Sequence, residues 1–257
     1  MKKLILFVIL NFGINTAFAD CSSNGMQFLP SSRNISKNSL FLIQGYYYSQ
    51  QTILSFEKRN VYLESENGKK INLKLIEILK GQMSLTQAIF KPESELEPNT
   101  KYFLKYSNET KSEISERKKW NSESKKNEEI YWETNDSKNV DLLNSNLKIN
   151  FEKTNVIQYG CGPSANAEFK IEISNNNEIW YKTEVIEISS GLKTVFYLTS
   201  YENKINVGHG VCSGAFTFKN NGKYKVRFTP TNSDGMQLQI TKWTEFESPF
   251  ANDKLGN

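Results

Sequence analysis

The sequence predicts an all-β chain folded as two tandem β-sandwiches, and three observations predict it. Apolar residues alternate with polar ones at period two, as in Ile71, Leu73 and Leu75 against Asn72 and Lys74. The same pattern recurs in Phe169, Ile171 and Ile173 against Lys170 and Glu172, and in Tyr224, Val226 and Phe228 against Lys225 and Arg227. Asn67-Gly68 and Asn221-Gly222 are strong two-residue hairpin signals, because Asn and Gly tolerate the positive φ that such turns need. Leu96-Glu97-Pro98-Asn99-Thr100-Lys101-Tyr102 reads as a corner leading into a strand.

Taken in order, the chain opens with a secretory signal over Met1 to Ala19. Lys2 and Lys3 form its charged region, Leu4 to Leu10 its apolar run, and Ala17-Phe18-Ala19 a small-x-small cleavage site. That run is too short to span a bilayer, and no later run is longer. Removing the leader takes away two basic residues and lowers the formal net charge from +4 to +2. So small a charge argues against nucleic acid as a partner. The product is expected to be exported: periplasmic, on the cell surface or extracellular, with no membrane span.

The first half, residues 20–138, carries the apolar runs Leu40–Ile43, Thr52–Phe56, Val61–Leu63 and Leu85–Phe90. The corner follows, then Tyr102–Tyr106, and Ile130–Trp132 as a last strand. At the corner Leu96 is expected to plug the end of the sandwich. Pro98 presets the turn, Thr100 belongs to the same spelling, and the Tyr102 hydroxyl is expected to bond to backbone upstream. The pattern Leu-x-Pro-x-Thr-x-Tyr is similar to the corner of fibronectin type III domains. The stretch Phe90 to Leu104, with Pro30 opening the domain, resembles bacterial immunoglobulin-like domains of secreted and surface proteins. The resemblance implies the fold and an adhesive or structural role.

The second half, residues 139–257, predicts strands around Phe169, Trp180, Val185, Val195–Leu198, Phe216–Phe218, Tyr224–Phe228 and Leu238–Ile240. Tyr224 is the counterpart of Tyr102, although the surrounding spelling differs. Of three cysteines, Cys161 and Cys212 are expected to pair. Such a bond contributes roughly 4 kcal/mol by loop-closure entropy. Cys21 is then the odd thiol and a candidate for cross-linking a dimer.

Candidate functional residues fall in two groups. The long polar segment 108–129 holds Arg117, Lys118 and Lys119 next to a lone Trp120, and reads as a polar loop with Trp120 as a binding anchor. Gln158-Tyr159-Gly160-Cys161-Gly162-Pro163, with His209 and Asp234 downstream, resembles the nucleophile segment of papain-like peptidases of the bacteriocin-processing kind. That resemblance implies catalysis by Cys161, His209 and Asp234 as the alternative. Strand-period alternation after Cys161 departs from the helix such peptidases place there. A single His leaves no zinc-ligand spacing, and Asn232-Ser233-Asp234-Gly235 reads as a turn rather than a Ca²⁺ loop. No metal or cofactor is expected. The reading is a non-catalytic binding or structural module whose partner is a protein or glycan at the cell envelope.

Overall fold

The computed structural model describes residues 24–122, 124–135, 143–172 and 178–252. The predicted leader, Cys21 and the predicted boundary at 138 lie outside the described residues. Strands dominate the described chain, and no helix in it is long and apolar enough to cross a membrane.

Eight strands form one sheet: β1 (Gly25–Leu29), β2 (Asn34–Ile35), β3 (Phe41–Tyr46), β4 (Val61–Ser65), β5 (Lys70–Lys80), β6 (Leu85–Pro92), β7 (Lys101–Tyr106) and β10 (Tyr131–Thr134). Their order is β1-β3-β6-β5-β4-β7-β10-β2. The two ends of this sheet are consecutive in the chain. Laid flat, eight strands at ~4.8 Å spacing put their outer members about 34 Å apart. The link 30–33 can span no more than about 17 Å. The sheet must therefore curl on itself. It does so around a core that includes Phe41, Ile43, Leu63, Ile71, Phe90, Leu104 and Trp132. β5 makes the turn between layers. Its first half pairs with β4 and its second with β6, and the register shifts between Leu75 and Glu77. The skipped residue, Ile76, is left exposed.

Thr52–Phe56 was expected as a strand and is instead part of α1 (Ser49–Ser55) with its cap. Ile53 and Phe56, three apart, both reach the core, which fits helical spacing. The helix lies against β3 at Gly45, where a Cβ would stand 2.6 Å from the Ser49 carbonyl oxygen.

A further seven strands build two facing sheets. One is ordered β11 (Lys148–Tyr159), β12 (Gly162–Glu172), β15 (Lys204–His209). The other is ordered β14 (Lys193–Thr199), β13 (Ile179–Glu187), β16 (Lys223–Asn232), β17 (Thr244–Glu247). Phe169, Phe196, Phe216, Val226 and Phe228 fill the space between them. Two strand expectations are corrected here. Phe216 and Phe218 are buried from an irregular segment, and Leu238–Ile240 is irregular with Ile240 exposed. The closing strand is β17, where Phe246 points inward.

Both corners form. The Glu97 N–H donates to Tyr102 Oη at 2.8 Å, and the Lys219 N–H donates to Tyr224 Oη at 2.7 Å. In each case an apolar residue six before the tyrosine is buried, Leu96 or Phe218, and an asparagine three before it, Asn99 or Asn221, takes positive φ. Thr134 on β10 ties down the first corner by accepting from the Thr100 N–H and donating to the Glu97 carbonyl.

The two groups of strands are joined by more than chain. Leu29, Leu42, Ile89, Trp180 and Tyr197 form a small apolar cluster between them. Inside it the Gln87 amide copies a backbone pair, donating to the Tyr197 carbonyl at 2.8 Å and accepting from the Tyr197 N–H at 3.0 Å. Lys182 pairs with Glu77 at 2.9 Å, and Ser31 donates to Glu178 through both its N–H and its hydroxyl at 2.6 Å.

Removing either corner hydroxyl leaves a backbone N–H without its acceptor. Tyr102→Phe and Tyr224→Phe are each expected to lower the unfolding free energy by about 1–2 kcal/mol. Denaturant titration checks this, and a change within error at both positions would refute the role given to the corners.

Candidate functional site

The described residues of the segment 108–129, expected as a polar loop, form regular elements. These are α2 (Lys111–Glu116), then a hairpin of β8 (Lys118–Asn121) and β9 (Lys126–Glu129). Charge supplies the order that apolar content could not. Thr110 and Glu113 make a reciprocal capping box, with the Thr110 N–H donating to Glu113 at 2.8 Å. Arg59 binds Glu113 at 2.6 Å. Burial alone would raise the Glu113 pKa, but the Arg59 guanidinium and the Thr110 N–H outweigh it and bring it down to about 2.

Arg117 was expected as a binding cation, and the structure corrects this. Its side chain is fully buried. It donates to the Leu104 carbonyl at 2.8 Å and to Glu109 at 2.5 and 2.9 Å, and it pairs with Glu129 at 3.3 Å. The guanidinium lies 4.8 Å from the Tyr106 ring centre. Arg117 is thus the anchor of the hairpin, not its contact surface.

The hairpin holds Trp120 outward, 64% exposed. Beside it runs a groove of about 130 Å³ lined by Phe28, Pro30, Arg33, Lys119, Trp120, Glu128, Ile130, Tyr131 and Trp132 among others. Trp132 is buried, and its indole N–H donates to the Pro30 carbonyl at 2.8 Å. Arg33 donates to Tyr131 Oη at 2.5 Å and lies 4.5 Å from the centre of that ring. Lys119 stands 5.8 Å from the Phe28 ring, and partial desolvation there lowers its pKa. Glu128 is held below the usual carboxylate range by hydrogen bonds from Ser124 and Asn121, with Arg33 and Lys101 adding to the effect. Lys118 is exposed but does not line the groove. Of the four expected binding residues, the structure therefore brings Trp120 and Lys119 together.

Arg33, Tyr131 and Phe28 escaped sequence reasoning. Tyr131 and Trp132 could have been separated by period two, since adjacent strand residues face opposite sides. Nothing local placed Arg33 near Trp120.

The residues of the alternative catalytic reading are dispersed. Cys161 sits at the tip of the β11–β12 hairpin and a strand follows it, not a helix. His209 lies opposite Ala165, four residues down the strand from Cys161, or about 13 Å. Its Nδ1 lies 2.8 Å from the Gly210 carbonyl oxygen. Asp234 accepts from the Ser36 and Ser39 hydroxyls across the junction. The turn reading of 232–235 holds, with Gly235 at φ +81 and the Asn232 side chain accepting from the Asp234 and Met236 N–H groups.

A larger cleft, about 210 Å³, lies at the junction and includes Gln27, Gln44, Gln87, Asn166 and His209. Its amides are largely spent on the fold. Gln87 is bonded to Tyr197 and Gln44, and Gln44 also reaches Gln27 and Tyr46. Asn166 bonds Ser164. The smaller groove is the candidate site, because Trp120 on its wall is exposed.

The expected Cys161–Cys212 disulfide is also corrected. Cys161 is a free, exposed thiol, whereas Cys212 is disulfide-bonded. The register explains why they do not meet. Cys161 is carried to the hairpin tip beyond the end of β15, and Cys212 lies in the turn that brings Gly214 back against His209.

Two outcomes are expected. Alkylation of the denatured, non-reduced protein followed by peptide mapping should label Cys161 and leave Cys212 unlabelled. Because the folded pKa of Glu113 lies below its ordinary value of 4.5, its stabilising effect is present above pH 4.5 and is lost as pH falls towards about 2. The stability gap between the wild type and Glu113→Gln should therefore be open at pH 6 and closed near pH 2, as read by thermal unfolding.

No family model matches the sequence, and no curated protein matches it. Among solved structures, the chain is similar to a pullulanase from Anoxybacillus sp. LM18-11, solved with and without maltotriose. For the maltotriose complex the TM-score is 0.26 and the identity 8%, over 87% of this chain and 25% of that one. A DUF4785 family protein from Legionella pneumophila gives a TM-score of 0.22 and 9% identity, over 88% of this chain and 57% of that one. The chain thus spans about a quarter of the pullulanase and just over half of the Legionella protein, and neither likeness bears on function.

Proposed function

We propose that the protein is a non-catalytic binding module of the cell envelope, exported through the leader at 1–19, whose contact surface is the groove at Trp120. Two tandem immunoglobulin-like or fibronectin type III-like sandwiches, dividing near residue 138, serve as its scaffold. The rolled order of the first sheet and the paired tyrosine corners support that architecture. The partner is a glycan or protein of the envelope.

The observation that carries the proposal is Trp120 itself. A large aromatic left 64% exposed on a hairpin anchored by a fully buried arginine is a pre-ordered contact. Folding alone gives no reason to expose it, since burying such a side chain stabilises by about 1.5–3 kcal/mol or more. An anchor fixed before binding also loses little side-chain entropy when the ligand arrives.

A glycan and protein screen with the wild type, repeated with Trp120→Ala, tests this. The variant is expected to lose binding by about thirtyfold or more, the scale of a hot-spot residue. Its melting temperature should be unchanged, because the ring lies outside the core. Binding that survives the substitution would refute the site.

A further inference from the structure

We propose that the Trp120 groove takes an anionic sugar residue, with its ring stacked on Trp120 and its negative group held between Lys119 and Arg33. This deepens, and rests on, the reading of that groove as the binding surface.

The argument begins with which charges are already spent. Glu129 is engaged by Lys105 at 2.7 Å and by Arg117 at 3.3 Å. Glu128 accepts from Asn121 at 2.7 Å. Neither carboxylate makes a direct ion pair with Lys119 or Arg33, although the charge of Arg33 acts on Glu128. Among the described residues, Lys119 and Arg33 stand in no direct ion pair, and the guanidinium of Arg33 donates to the neutral Tyr131 hydroxyl. Glu129 is neutralised by its own partners and Glu128 offsets one of the two cations, so the groove keeps a net positive charge.

Lys119 is poorly placed for a cation without a counter-charge. Its ammonium lies against Phe28, where part of its hydration is lost. An arriving anion restores what the ring displaced, and the attraction is stronger there than in bulk water.

The remaining groups narrow the ligand. At about 130 Å³ the groove is well below the roughly 300–1,000 Å³ of an enclosed small-molecule pocket. It has room for one ring of a longer chain. Glu128 beside the cations disfavours a dense polyanion, yet it can accept from hydroxyls. A single negative group on a hydroxylated ring satisfies both demands, which a polyphosphate chain or a nucleic acid does not.

The full-length protein can be titrated calorimetrically with polygalacturonate, its neutral methyl ester, a sulfated galactan and polyglutamate. Binding to polygalacturonate or to the sulfated galactan is expected, and the stronger of the two identifies the anion as a carboxylate or a sulfate ester. Methyl esterification, or Lys119→Gln with an unchanged melting temperature, should weaken polygalacturonate binding at least tenfold if the carboxylate is the anion. If the sulfate ester is, Lys119→Gln should weaken galactan binding to the same extent. Equal binding of the neutral ester, lost in Trp120→Ala, would overturn the anion and leave the groove reading standing. Binding of polyglutamate as tight as that of either glycan would overturn the sugar. No Trp120-dependent binding to any of the four would overturn the anionic sugar, while the groove reading falls only if the wider glycan and protein screen also shows no Trp120-dependent binding.

Discussion

An indole hydrogen bond, from Trp132 to the Pro30 carbonyl, ties the link between the two outermost strands of the first sheet to the core beneath it. The link 30–33 joins the two outermost strands, so its path decides whether eight strands can meet around one core. Trp132 fills that core with its ring and pins the link with its N–H. The same link carries Ser31 to Glu178 in the neighbouring sheets and Arg33 to Tyr131 in the groove. Closure, junction and candidate site therefore share one short stretch of backbone, fixed from beneath by a buried aromatic.

The hairpin at Trp120 follows a different economy. Its strands are polar and mostly exposed, and a hairpin of this kind is marginal in water by itself. Its fixed position comes from Arg117, which is drawn fully into the protein with Glu109, Glu129 and the Leu104 carbonyl around it. Buried ion pairs seldom add stability over an apolar replacement, but breaking one is costly. Here the cluster specifies a position. Lys119 and Trp120 lie two and three residues after Arg117 in the chain, so anchoring the guanidinium places the groove wall.

The sheet residues were legible in the sequence because burial and period two coincide in them. Ile71, Leu73, Phe169, Val226 and both corner tyrosines are buried where alternation puts them. Three features were not legible, each for a physical reason. Thr52–Phe56 is too short an apolar run for its composition to separate strand from helix, and the helix is accommodated by the missing Cβ of Gly45 on another element. Arg117 looked like its exposed neighbours, because only Glu109 and Glu129 acting together make its burial tolerable. The two cysteines were matched on their turns, whereas β11 and β12 extend past β15 and carry Cys161 away. Half the groove was missed because its floor comes from residues about a hundred positions before Tyr131.

The Gln87–Tyr197 contact has a mechanical consequence. An amide side chain that mimics a strand neighbour makes the junction behave as a stretch of ladder, not as two greasy surfaces in contact. Greasy surfaces slide and pivot at little cost, but ladder bonds must be broken before either side can turn. The Lys182–Glu77 pair and the Ser31–Glu178 clamp lie across the same junction, so turning one group of strands against the other would break these bonds as well.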